Sequence, residues 1–288
     1  MSFSFSINSK KSISYQDLLE ALPLPQLSIE EELDRKLTIS GVFHLYISGA
    51  SCRSVEVGNE SSGYRVRINS PASAEDHRLA LCVVESLALL AESDSIQSEA
   101  KSEFQVKELR LIHNDKWINS ELDSGLRSTL LMAVHASKNG SVCSIKGAKR
   151  EFHLGAEMAL RLLRLNHPEK ISREFFQIFR LIQYIETQGY VAPKIYVHRS
   201  TKRKMCALGP GLSYFIPWVQ HIALIPGPGE ESIYLAHQDL LNILGSRLKL
   251  LDEKQGVIEA IPEKEWKALL LEAEKNKLNL AQLQGISN

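Results

Sequence analysis

The chain opens in period two. Phe3, Phe5 and Ile7 alternate with serine and asparagine, which predicts a strand over residues 2–8. Ser14 followed by Asp17 reads as the start of a helix with Leu18, Leu19 and Leu22 turned inward, closed by Pro23 and Pro25. A short acidic helix is expected around Ile29 to Lys36, with Leu33 and Leu37 on its apolar side. Val42 to Ile47 reads as a strand, and residues 54–69 as a hairpin. In that hairpin Val55 and Val57 alternate with polar residues on one arm, Tyr64, Val66 and Ile68 do so on the other, and Asn59 and Gly63 lie between them. Ser73 with Asp76 marks the N-cap of a helix carrying Ala80, Val83, Val84, Leu87 and Ala91 at helical spacing. Phe104 to Ile112 is expected to be extended. Asp123 is expected to cap a helix bearing Leu126, Leu130 and Val134, which Asn139-Gly140 ends. Val142–Ile145 and Phe152–Leu154 suit a pair around Gly147, and Ala156–Leu165, apolar on most sides, suits a buried helix. Ser172 then caps a helix with Phe175, Phe179 and Ile182, and Gly189 follows where a left-handed residue ends a helix.

The most apolar stretch lies between two Gly-Pro-Gly triplets, Gly209–Gly211 and Gly227–Gly229. If extended, it puts Tyr214, Ile216, Trp218, Ile222 and Leu224 on one face, and Pro217 requires a bend or a sheet edge there. Before it, Val191–His198 and Met205–Leu208 flank a basic link, a pattern that suits a hairpin. After it come a strand at Ile233–Leu235, a helix with Leu240, Leu241 and Leu244, a small hairpin through Gly256, and a final amphipathic helix with Trp266, Leu269, Leu270 and Ala273. Trp218 and Trp266 are expected to help close the core of this half. Hairpins and single helices mix in both halves. The pattern therefore predicts an α+β fold of antiparallel hairpins packed with single amphipathic helices. It suggests two lobes of similar size, residues 1–122 and 123–288, the division being drawn from the polar run His113–Ser124, with one large domain as the alternative.

Composition narrows the class. A hydrophobic share of 44% with 24% charged residues suits a globular chain and argues against wholesale disorder. Lys plus Arg and Asp plus Glu stand at 34 each, so no global field favours nucleic acid or a membrane surface. The N-terminus lacks the continuous apolar region of a signal peptide, and no uninterrupted apolar run is long enough for a membrane helix. Cys52, Cys82, Cys143 and Cys206 are scattered, which reads as reduced structural thiols in a cytoplasmic protein.

Candidate chemistry is sparse. Gly147-Ala148-Lys149 lacks both the spacing of a phosphate loop and a following Ser or Thr, and proline in the two triplets removes an amide a cradle would need. Turn chemistry explains all three. No His pair or Cys pair has zinc spacing, so no metal or other cofactor is expected. There is no nucleophile elbow. The remaining catalytic alternative is His221, Glu231 and His237, beside a cleft near residues 209–240, as acid/base groups or as two His and one carboxylate, provided the fold brings them together. Charge is less even than its total: from Lys146 to Lys204 there are thirteen Lys or Arg against five Asp or Glu. Arg161 and Arg164 share a helix side, and Arg199, Lys202, Arg203 and Lys204 sit at the basic link. These six suit an acidic protein surface. Aromatic residues are not interleaved with the link, which disfavours a nucleic-acid stacking platform without excluding nucleic acid.

Three segments carry a resemblance: SVEVGNESSGYRVRINSPASAEDHRLAL, FFQIFRLIQYIE, and YLAHQDLLNILG with VIEAIPEKEWKALL. Together they resemble a bacterial family of about this length catalogued as a domain of unknown function. The link Glu92–Ser102 and the basic link depart from it. The resemblance implies no catalytic residues. It implies an accessory protein of the kind met in toxin-immunity and secretion loci. The combined expectation is a non-enzymatic, immunity- or antitoxin-like protein-binding module, with an enzyme or small-ligand binder as the alternative.

Overall fold

The computed structural model describes residues 2–30, 34, 36–99, 102–227, 229–279 and 283. It is an α+β fold, and its contacts divide the chain into Met1–Gln183 and Tyr184–Asn288. The division expected at 122/123 instead falls inside one continuous helix, Asp115–Ser137. Of the acidic helix expected around Ile29 to Lys36, residues 31–33 and 35, Leu33 among them, lie outside the described residues, while Ile29 ends a strand and residues 30, 34 and 36 are not helical.

The first unit is built on a seven-stranded antiparallel sheet. In chain order it begins with β1 (Ser2–Asn8), α1 (Tyr15–Ala21), β2 (Leu27–Ile29), β3 (Val42–Ile47), β4 (Val55–Glu60) and β5 (Gly63–Asn69). α2 (Ala74–Leu90), β6 (Ser95–Ser98) and β7 (Glu103–Gln105) follow, and the sheet order is β2-β3-β4-β5-β1-β6-β7. The first strand thus sits inside the sheet, paired with β5 from Ser2↔Asn69 to Asn8↔Gly63 and with β6 on its other side. Its alternation works as expected: Phe5 and Ile7 are buried. The β4–β5 hairpin forms in the expected register, Val57 opposite Val66. Gly63 is obligatory there, since a Cβ would meet the Ile7 carbonyl oxygen at 2.0 Å and φ is +145°.

α2 packs across this sheet and buries Leu79, Ala80, Val83, Val84, Leu87 and Ala88. Each large aliphatic side chain among them contributes about 1.5–3 kcal/mol of burial. The N-cap expected at Ser73 closes as a capping box with Asp76, which is fully buried. The Asp76 Oδ2 accepts from the Ser73 amide and hydroxyl, both at 2.8 Å, and from the Arg53 amide at 3.1 Å. Burial pushes that carboxyl up to about 6, against the pull of the hydrogen bonds from Ser73 and Arg53.

Beyond β7 the expected extended segment is only three residues long, and Leu109–Ile112 forms α3. α4 (Asp115–Ser137) starts eight residues before the expected cap. Asn114 caps it, its side-chain oxygen accepting from the Lys116 and Trp117 amides. Asp123 lies within the helix, and the polar run that suggested a boundary is its first turns. β8 (Cys143–Lys146) and β9 (Glu151–Leu154) pair as expected. α5 (Ala156–Leu163) buries only Ala159 and Leu162, so it is amphipathic rather than buried all round. α6 (Pro168–Gln183) begins at Pro168, the residue expected only to end α5, and Ser172 is inside it. Phe175 and Phe179 pack on Phe152 of β9.

The second unit has two small sheets. β10 (Tyr196–Val197), β11 (Lys204–Leu208), β13 (His221–Leu224) and β14 (Ile233–Ala236) form one, in that order. β12 (Tyr214–Ile216), β15 (Lys249–Leu250) and β16 (Gly256–Ile258) form the other, with β16 between its partners. β11 and β13 run parallel, an exception to the antiparallel pattern expected. The apolar run therefore does not make one strand: Pro217 separates β12 from β13, and the two enter different sheets. α7 (His237–Leu244) and α8 (Glu263–Ala273) cover one core, which holds Cys206, Leu208, Ile222, Leu224, Leu235, Leu240, Trp266 and Leu269. Trp266 is fully buried and its indole N–H donates to the Ile225 carbonyl at 3.0 Å. Trp218 is not in the core; it is half-buried, with the Lys254 ammonium 4.4 Å from its ring centroid. Gly211 and Gly229, the last residues of the two triplets, are left-handed, as turns require; Pro228 between them is outside the described residues.

Candidate functional site

The register of β13 and β14 decides how the three catalytic candidates lie. His221 opens β13 opposite Ala236, and His237 follows Ala236 as the first residue of α7. The His237 amide donates to the Gln220 carbonyl at 3.1 Å, so the two histidines share one end of the strand pair. Glu231 precedes Ile233, which stands opposite Leu224 at the other end. Ile233 to Ala236 spans about 10 Å at strand rise, so Glu231 lies at least that far from either histidine along the ladder. It is exposed, and its charge adds to the Glu274 hydrogen bond and charge that raise the pKa of Lys277.

The histidines themselves are engaged differently. His221 lies on the face of β13 opposite core residues Ile222 and Leu224, and partial burial with the nearby Arg203 charge lowers its pKa. His237 is buried. Its Nε2 sits 2.9 Å from the Lys254 carbonyl and donates to it, which fixes the neutral tautomer and leaves Nδ1 without a partner among the described residues. Burial likewise lowers its pKa. Among the described residues no three His, Cys, Asp or Glu are placed to hold a metal ion. The geometry thus brings the two histidines to one end and leaves the carboxylate at the other.

The Gly147 turn has a specific occupant. The Lys149 and Arg150 amides, which a phosphate would need, both donate to Gln183 Oε1, at 2.8 and 2.9 Å. Gln183 Nε2 returns a bond to the Arg150 carbonyl at 3.0 Å. A Cβ on Gly147 would stand 2.4 Å from both Gln183 Oε1 and the Arg150 carbonyl oxygen, so glycine is required for this close approach. Gln183 is fully buried. The turn is a structural latch between the β8–β9 hairpin and the end of α6.

The six basic candidates fall into two groups in different units. Arg161 on α5 and Arg164 at its C-cap are exposed in the first. Arg199, Lys202, Arg203 and Lys204 are in the second, at the β10–β11 hairpin, whose register is Tyr196↔Met205 and Val197↔Lys204. The hairpin loop is ordered by its own hydrogen bonds. The His198 amide donates to the Arg203 carbonyl at 2.8 Å and the Lys202 amide to the His198 carbonyl at 2.9 Å. His198 Nδ1 accepts from the Thr201 amide at 3.3 Å and lies 3.0 Å from its hydroxyl. Lys202 takes φ +57°, and the loop projects Arg199 and Lys202 into solvent.

A sharper signal was present in the sequence than the window from Lys146. Between Glu186 and Glu230 the chain contains no Asp or Glu, while Lys194, Arg199, Lys202, Arg203 and Lys204 all fall there. The second missed feature is β10. It is an edge strand whose neighbourhood is apolar and uncovered: Ile195, Tyr196 and Val197 are 42%, 52% and 54% exposed. Among the described residues no helix is long and apolar enough to cross a membrane. No curated protein and no solved structure matches the chain. Residues 2–207, which take in the whole seven-stranded sheet and the basic hairpin, match the family described as a domain of unknown function, DUF4299, and the chain belongs to that family.

Proposed function

We propose that this chain is a non-enzymatic protein-binding module of the bacterial cytoplasm, that its partner presents an acidic surface, and that an immunity- or antitoxin-like role is its concrete form. The observation that carries the reading is the β10–β11 hairpin. Its loop is held by internal hydrogen bonds, it presents Arg199 and Lys202 to solvent, and it lies in a stretch without an acidic residue. An ordered loop loses little freedom on binding, and a one-signed surface steers and selects an oppositely charged partner. Such a role needs a stable scaffold and a complementary surface rather than a reaction centre. Four free cysteines, two of them fully buried, suit a reducing compartment.

The test is affinity purification of the chain from its native cell at endogenous level, washed over a salt series and with nuclease. The reading expects a stoichiometric protein partner, retained through nuclease treatment and released progressively as salt screens the contact. Recovery of a small molecule with no protein, or of a partner that nuclease removes, overturns it.

A further inference from the structure

β10 ends its sheet with one edge open. It pairs with β11 on one side, and among the described residues no strand pairs with it on the other. The parity of the ladder settles which groups face outward. His198 directs its N–H to the Arg203 carbonyl and its C=O to the Lys202 amide, so both its main-chain groups point toward the β11 side. In an antiparallel ladder the next residue points its groups the other way. The N–H and C=O of Val197 therefore face the open edge.

The side chains around that edge are uncovered too. Tyr196 lies beside the Lys194 ammonium, 5.6 Å from its ring centroid, and Ile195 and Val197 are exposed. Exposed apolar side chains on both sides of a free main-chain edge form a template for an added strand. The flanking charge then selects what is added. Lys194 precedes the strand, and Arg199 and Lys202 follow it at the loop. Glu259, an acid from outside this stretch that bonds residues within it, is held by the Tyr190 and Ser213 hydroxyls. A second copy of the chain pairing edge to edge would bring Lys194, Arg199 and Lys202 against their own kind, which disfavours self-pairing.

We infer that β10 is a strand-addition site, and that its occupant is an extended acidic segment of a partner protein. The segment would bond its main chain to Val197, while its carboxylates meet Lys194, Arg199 and Lys202. This rests on the acidic-partner reading and adds to it the mode of recognition.

The experiment uses the full chain, labelled for amide exchange by NMR, and a short capped peptide in which Glu alternates with Val. Two control peptides accompany it: one N-methylated on the pairing edge, with the charge unchanged, and one with Lys in place of Glu. The expected result is that the Glu peptide slows exchange of the Val197 amide on the order of tenfold, while neither control does. If the N-methylated peptide binds as well as its parent and the Val197 amide stays unprotected, strand addition is overturned and the acidic-partner reading stands. Equal protection by the Lys peptide overturns the charge selection, and failure of every peptide overturns the site. Val197 protection that rises with protein concentration alone assigns the edge to a second copy and overturns the inference. The purification from native cells decides the acidic-partner reading independently of all these outcomes.

Discussion

Gln183 and Asp76 show how much a single buried polar residue carries here. Gln183 makes three bonds to the Gly147 turn from a site with no access to water. Gln183→Ala removes them together and takes the Oε1 acceptor from the Lys149 and Arg150 amides, while the Arg150 carbonyl keeps the Gly147 amide, which predicts a loss of about 2–4 kcal/mol in urea unfolding of the first unit. A loss under about 0.5 kcal/mol would contradict the latch. Asp76 predicts a dependence on pH. Its folded pKa, about 6, lies above the ordinary 3.8, so the stability tied to its neutral form is full below about 3.8 and is lost as pH rises through about 6. A shift of about two units corresponds to a loss on the order of 3 kcal/mol. His77 and His113 act in the opposite sense. Burial lowers both, so their contribution is present above 6.5 and is lost as pH falls through their folded values. Comparing Asp76→Asn with the parent isolates the carboxyl, because the histidines titrate in both. The parent is expected to lose ground to the variant between pH 4 and pH 7.5, read from paired denaturant titrations. A pH-independent difference would contradict the burial of a titrating carboxyl.

At the scale of elements, caps and periodicity were legible and long-range pairing was not. The boxes at Ser14 and Ser73 are local chemistry, with acceptor and donor three residues apart, and both form as read. α4 begins at Asp115 rather than after Asp123, because Asn114 supplies the cap and Ile118 and Leu122 keep helical spacing through its polar first turns. Pro217 signalled a break, but nothing local states that β12 and β13 belong to different sheets or that β13 runs parallel to β11. The same limit governed the candidate site: the residue types at 221, 231 and 237 were legible, and the register that sets Glu231 at the far end was not. The two tryptophans separate the cases by burial. Trp266→Ala is expected to cost about 3–5 kcal/mol, since it empties a core position and leaves the Ile225 carbonyl unpaired. Trp218→Ala removes a half-exposed ring and its cation–π contact with Lys254, and is expected to cost less than Trp266→Ala. Equal costs in thermal unfolding would contradict the assignment of Trp266 alone to the core.

Over the whole molecule the charges cancel, 34 against 34, and the total conceals the feature that matters most. No acidic residue falls between Glu186 and Glu230, and the hairpin there presents Arg199 and Lys202 on an ordered loop. A charged surface of this kind acts through association rather than stability, so its two readouts separate cleanly. The most direct measurement compares the parent with the Arg199→Glu, Lys202→Glu variant, in thermal unfolding and in partner retention from the native cell. Both side chains are exposed, so the variant is expected to keep its stability within about 0.5 kcal/mol. Its retention of the acidic partner is expected to fall on the order of tenfold or more. Full retention by a folded variant would contradict the claim that this hairpin is the binding surface.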